Sequence, residues 1–243
     1  MNKLLLHPLV KPLLFLLALL PFIQLLWGAL ANTLGANPAE ALIRGTGDWV
    51  LRCLCLTLAI TPLRELTGWS ALARWRRLLG NFAFFYGVLH FLCYAWLDMG
   101  LDLAAIVRDL PKRPFVLVGS LALLLMVPLA ATSFNRAIKA LGAARWQALH
   151  RTIYAIALLG LLHFFWMRVG KNDFGEWAIY ALIVAALLGW RVWQAAQRRA
   201  TLRQRAATSC SPAATARWWA ARAPAPSPAP ASARTATRHG RSA

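Results

Sequence analysis

The stretch from Arg145 to Trp166, RWQALHRTIYAIALLGLLHFFW, decides how the chain reads. A cationic, Trp-containing entry leads into an apolar run that carries two histidines, His150 and His163. Thirteen residues separate them, a rise of roughly 20 Å on a helix and about two-thirds of a ~30 Å hydrocarbon core. Imidazoles at membrane depth are costly without a partner or a task. One alone is as readily a packing residue as a ligand. Two on one span, with His90 on another, point to a metal centre.

The rest of the chain has the same apolar character. Its 243 residues are 59% hydrophobic and 14% charged, with a mean hydropathy of +0.52, against roughly 25% charged in a soluble domain. Apolar runs near 13–30, 49–63, 78–97, 115–131, 152–167 and 177–193 predict an all-α, polytopic bundle of six transmembrane helices. The second run is short and borrows Thr46 to Asp48; the fifth needs the turn that holds His150. Residues 32–48 read as a polar loop, Pro128 as a kink in the fourth span, and Asp48 with Arg52 as an ion pair one helical turn apart.

The net charge of +19 raises the question of nucleic acid, and its placement answers it. Nine of the 27 Lys and Arg lie beyond Trp193, and most others sit in loops, so the charge is an orientation signal and no binding stripe. Loops on one side hold seven of the eight acids, while those on the other are plainly positive. The positive-inside rule then puts both termini in the cytoplasm. Trp27, Trp49, Trp96, Trp166, Trp177 and Trp193 fall near span ends, as an aromatic belt would. Residues 1–193 form the membrane domain, and 194–243 read as a basic Ala/Pro/Arg-rich cytoplasmic tail, mostly disordered. Its early part, through Arg205, can continue the sixth helix. Cys53, Cys55, Cys93 and Cys210 show no C-x-x-C or zinc spacing, so neither a disulfide nor zinc is expected.

Spans three and five run in the same direction, so their depths can be compared. His90 lies thirteen residues after Arg77, as His163 does after His150. If Arg77 and His150 share a level, His90 and His163 meet at another, and two facing imidazoles make the axial ligand set of a b-type haem. Gly87 and Gly160 could let a flat macrocycle approach the backbone. His150 then faces Arg77, which could bond a haem propionate. Thirteen residues also turn an ideal helix about 140° off its starting face, so His150 and His163 share a face only if the helix bends.

The order RRLLG (76–80), Y-x-x-x-H (86–90), RPF (113–115), ATS (131–133), W-x-x-LHR-x-x-Y (146–154) and H-x-x-W (163–166), with TPLR at 61–64, resembles the ferric reductase-like transmembrane family. Within it, the pattern is similar to the haem-binding membrane subunits of bacterial periplasmic methionine sulfoxide reductase systems. The resemblance covers about residues 8 to 193. It implies that His90, His150 and His163 are haem-associated, and that b haem is present, with FMN. It also implies electrons drawn from the quinone pool, with quinol or a flavin reductase as donor, and passed to a periplasmic molybdopterin-containing catalytic subunit that repairs oxidised proteins. The setting is the bacterial inner membrane, with the lipid bilayer as partner. The larger oxidases of this superfamily carry paired histidines on both spans and a nucleotide-binding domain. Here a second span-three histidine and a G-x-G-x-x-G are missing, which leaves one or two haems and no direct use of NAD(P)H. Two other readings fit the same residues: a stand-alone ferric reductase, or a cofactor-free transporter or scaffold whose histidines shuttle protons or only pack.

Overall fold

The computed structural model describes residues 7–170, 172–209 and 222. Nine α-helices follow one another among the described residues: α1 (Val10–Leu30), α2 (Pro38–Thr67), α3 (Ala73–Cys93), α4 (Leu103–Asp109), α5 (Pro114–Ala131), α6 (Asn135–Leu141), α7 (Ala143–His150), α8 (Ile153–Val169) and α9 (Gly175–Ser209). A 3₁₀ turn (Ser70–Leu72) precedes α3 and a π-helical turn (Tyr94–Asp98) ends it. No strand occurs among the described residues. The protein is an all-α polytopic membrane protein, as the hydropathy pattern predicts.

Among the described residues, five helical stretches are long and apolar enough to cross a membrane: Val10–Leu30, Ser70–Asp98, Pro114–Ala131, Ala143–Val169 and Gly175–Arg205. Their apolar side chains point outward, with Leu124 66% and Leu182 71% exposed, as lipid-facing surfaces do. The expected second span is the exception. α2 is long enough at 30 residues, yet Asp48, Arg52 and their charged neighbours leave it outside that group. The physical reason is its position. α2 packs more extensively on α3 than any other pair of helices does, and it buries Leu51, Cys53, Leu54, Cys55, Thr57, Leu58 and Ile60. A helix with protein on most sides has no need of a uniformly apolar surface.

α2 also overturns the loop expected over residues 32–48, because it begins at Pro38. Asn37 caps it by accepting a hydrogen bond from the Glu40 backbone N–H at 3.1 Å, while its side-chain amide bonds the Glu40 carboxylate at 3.2 Å. Asn at the cap, Pro at the first position and Glu three residues on are a helix-start signal. The helix therefore starts about three turns before the expected run at Trp49. Arg52, expected to pair with Asp48, lies 4.0 Å from it; it also donates to the Tyr180 hydroxyl at 3.2 Å and stacks over Trp49.

Tyr86 joins α1 to α3. Fully buried, it donates to the Ala18 carbonyl at 2.7 Å and accepts from the Phe22 N–H at 3.2 Å. The fifth run, 152–167, forms α8, and the turn that holds His150 belongs to a separate helix. α7 ends at His150 and α8 starts at Ile153, so the chain breaks its helix between the two histidines. Pro128 leaves α5 unbroken through Ala131.

The chain divides into two compact units, Met1–Trp193 and Gln194–Ala243. In the second, the helix continues to Ser209 and its side chains from 195 to 205 are exposed. The disorder expected of the tail falls mostly on residues 210–221 and 223–243, which lie outside the described residues, as do Cys210 and His239.

Candidate metal centre

His90 sits near the end of α3 and His163 in the second half of α8. Their rings lie side by side, with centroids 5.9 Å apart and planes 87° to one another. The depth matching of the parallel spans therefore brings together the two residues it pairs. Each ring is anchored at the same atom. His90 Nδ1 lies 2.8 Å from the Ile43 carbonyl oxygen and His163 Nδ1 lies 2.7 Å from the Phe115 carbonyl oxygen. A carbonyl only accepts, so each Nδ1 carries the proton and each Nε2 keeps its lone pair. Thr46 Oγ1, 3.5 Å from His90 Nδ1, already donates to the carbonyls of Leu42 and Ile43.

The anchoring works the same way on both sides. Ile43 and Phe115 are helical residues, and the helix N–H four residues later belongs to Gly47 and Gly119 respectively. A Cβ on Gly47 would stand 3.1 Å from His90 Nδ1 and Cε1; one on Gly119 would stand 2.8 Å from His163 Nδ1. Glycine at these two positions is what lets an imidazole reach a carbonyl on a neighbouring helix. Sequence reasoning missed Ile43, Gly47 and Gly119. The helix-start signal at Asn37–Glu40 could have found the first two, because it converts the supposed loop into helix.

The rings open into a cavity of about 1050 Å³, walled by α2, α3, α5 and α8 and including Gly87 and Gly160. Arg44, Arg113 and Arg168 also line it. Arg44 pairs with Glu40, Arg113 with Asp98 and Asp109, and Arg168 with Asp173 and Glu176. Among the described residues no three His, Cys, Asp or Glu side chains gather into a cage for a metal ion. Two nitrogen donors facing a large cavity instead suit a metal that brings its own equatorial ligands. Two metal–imidazole bonds of about 2 Å each, with the ring radii added, put centroids roughly 6 Å apart, in line with the 5.9 Å observed.

His150 and Arg77 lie elsewhere. They line a second cavity of about 240 Å³, together with Arg64, Arg76 and Trp146. The expectation that these two residues face each other at one level agrees with this shared cavity. His150 Nε2 is 3.1 Å from Thr132 Oγ1, its ring stacks on Trp146 at 4.0 Å, and Trp146 Nε1 donates to the Thr132 carbonyl at 2.9 Å. His150 and His163 line different cavities, as the about 140° between their helix faces predicts.

Fold and site define the class: an all-α polytopic membrane protein whose helices close around a glycine-lined cavity walled by two backbone-anchored histidines. Residues 46–161 match the family model described as the ferric reductase like transmembrane component. The match takes in His90 and His150 and ends just short of His163. The chain is 64% identical over 192 residues to the "Protein-methionine-sulfoxide reductase heme-binding subunit MsrQ" of Polaromonas naphthalenivorans (strain CJ2), over 79% of this chain and 88% of that protein. It is 53% identical over 179 residues to the like-named protein of Ralstonia nicotianae, over 74% and 82%. With that of Xanthomonas campestris pv. campestris it shares 46% identity over 183 residues, 75% and 83% of the two chains. The chain belongs to the MsrQ family. No solved structure matches it.

Proposed function

We propose that this chain is the haem-binding, electron-carrying membrane subunit of a protein-methionine-sulfoxide reductase. Haem b would be held by His90 and His163. Electrons enter at the Arg77–His150 end from the quinone pool or a flavin reductase. They leave at the other end to a periplasmic molybdopterin-containing catalytic subunit. The observation that carries the reading is the pair of imidazoles 5.9 Å apart, each with Nδ1 on a backbone carbonyl. The names of the MsrQ relatives support the haem and the sulfoxide reductase system.

Held by His90 and His163, a haem would supply a one-electron iron couple. The protein's own part is to aim and tune. The carbonyls of Ile43 and Phe115 hold each ring in one tautomer and raise the basicity of the opposite nitrogen. Leu51, Leu54, Val116, Ala122 and Ile156 make part of the wall apolar. Of the two cavities, only the 1050 Å³ one has the size for a macrocycle.

A reduced-minus-oxidised spectrum of purified protein, with the haem-to-protein ratio, tests the proposal. We expect a bis-imidazole spectrum and a ratio of one; no haem band at all would eliminate the electron-carrier reading. In membranes, methionine sulfoxide reduction by the catalytic subunit should require this chain. Reduction of ferric chelates without any partner would favour a stand-alone metal reductase.

Two further results are expected. His150→Ala should keep the haem spectrum, because His150 lines the other cavity, while slowing haem reduction by the donor. Loss of the bis-imidazole spectrum in that variant would show that His150 is an axial ligand. Reporter fusions should place Arg77, Arg145 and the C-terminus in the cytoplasm and Asp102 in the periplasm. An inverted pattern would reverse the direction of electron flow proposed here.

A further inference from the structure

The two imidazole anchors occupy matching positions and differ in one side chain. On α2 the anchoring carbonyl, the residue three on and the next one are Ile43, Thr46 and Gly47; on α5 they are Phe115, Val118 and Gly119. Thr and Val are both β-branched, so the hydroxyl is what separates the two sides. Thr46 is 3% exposed, and its hydroxyl turns back along its own helix, 2.7 Å from the Leu42 carbonyl oxygen and 3.0 Å from that of Ile43. Its oxygen lies 3.5 Å from His90 Nδ1, too far for a good acceptor. Among the described residues the Ile43 oxygen thus faces three donors: the Gly47 N–H of the helix ladder, the Thr46 hydroxyl, and His90 Nδ1–H at 2.8 Å. The Phe115 oxygen faces two, the Gly119 N–H and His163 Nδ1–H at 2.7 Å. A carbonyl oxygen has two lone pairs, which suffice on α5 and are oversubscribed on α2.

We propose that Thr46 is a positioning residue that raises the reduction potential of the haem held by His90 and His163, by competing with His90 for the Ile43 carbonyl. The inference rests on the haem placement proposed above. A ring N–H that donates to a carbonyl makes the opposite ring nitrogen more basic, and a more basic axial nitrogen favours ferric iron. Second-shell hydrogen bonding is one of the protein's levers on the potential. The Thr46 hydroxyl takes up part of the Ile43 acceptor, so Nε2 of His90 is less basic than Nε2 of His163. The two axial ligands are therefore unequal, and the potential stands above the value that two anchors like that of α5 would set. A threonine that merely satisfies its own hydroxyl along its helix would leave the potential untouched, which separates the two roles.

The test is an equilibrium redox titration of the purified full-length protein, read on the spectral component that His90→Ala abolishes. Thr46→Val should favour the ferric form about threefold, on the scale of one neutral hydrogen bond. That lowers the potential by about 30 mV, at roughly 59 mV per decade for one electron. Thr46→Ser keeps the hydroxyl and should stay near the unmodified value. Val118→Thr places a hydroxyl beside the Phe115 carbonyl and should raise the potential by a similar amount, and the double variant Thr46→Val with Val118→Thr should return close to the start. Haem content per chain is the check on folding; if Thr46→Val sheds haem, Thr46→Ala and Val118→Thr carry the same two signs. An unshifted or raised potential in Thr46→Val, or an equal shift in Thr46→Ser, would overturn the proposal. An unmodified protein with no haem band would instead remove the haem reading on which it rests.

Discussion

Replacing His163 with alanine is expected to remove the bis-imidazole haem spectrum and most of the bound haem, and His90→Ala should do the same to a similar extent. Each variant leaves one histidine nitrogen facing the cavity. The remaining ligand cannot supply the second axial bond, and among the described residues no third histidine lines the wall: the second cavity keeps His150 with Thr132 and Trp146. Loss of a residue that merely supports a ligand typically costs about 10–100-fold in affinity, so loss of the ligand itself should exceed that. The two variants should also match in severity, because the two rings are anchored alike. Haem content per purified chain, with the reduced spectrum, is the measurement. A His163→Ala protein that retains a full bis-histidine spectrum would refute the His90–His163 pairing.

The second large effect is expected at a residue with no chemistry of its own. Gly119→Ala places a methyl 2.8 Å from His163 Nδ1, inside any normal contact, on the path between the ring and the Phe115 carbonyl. The ring has to give up its 2.7 Å hydrogen bond or α5 has to move away from α8. Either outcome loosens the tautomer and the aim of Nε2, and the expected loss of haem affinity is again about 10–100-fold. Gly47→Ala should act in the same direction through His90, more mildly, since its Cβ would stand at 3.1 Å. Gly170→Ala, at the C-terminal cap of α8, meets nothing within 4 Å and serves as the control. If Gly119→Ala binds haem as tightly as the control, the carbonyl anchor does not govern ligand geometry.

The sequence by itself determined the class of this protein and the identity of its central pair. Apolar runs long enough to span a bilayer, separated by charged loops, leave an all-α membrane bundle as the reading, because backbone groups in lipid have to be satisfied within each helix. Equal spacing from Arg77 to His90 and from His150 to His163 was enough to match depths on parallel helices, since helical rise is constant along the chain. Tertiary structure decided the rest. Hydropathy could not show α2 as the central helix, because a helix surrounded by protein tolerates Asp48 and Arg52 where a lipid-facing one does not. Nor could spacing show that the two anchoring carbonyls belong to Ile43 and Phe115, or that Gly47 and Gly119 exist to clear the way to them. Those contacts join residues 47 and 48 positions apart, and only packing brings such residues together. The partner of His150 belongs to the same class: Trp146 stacks on it from one turn earlier on α7, but Thr132 comes from the end of α5 and is brought to it only by packing.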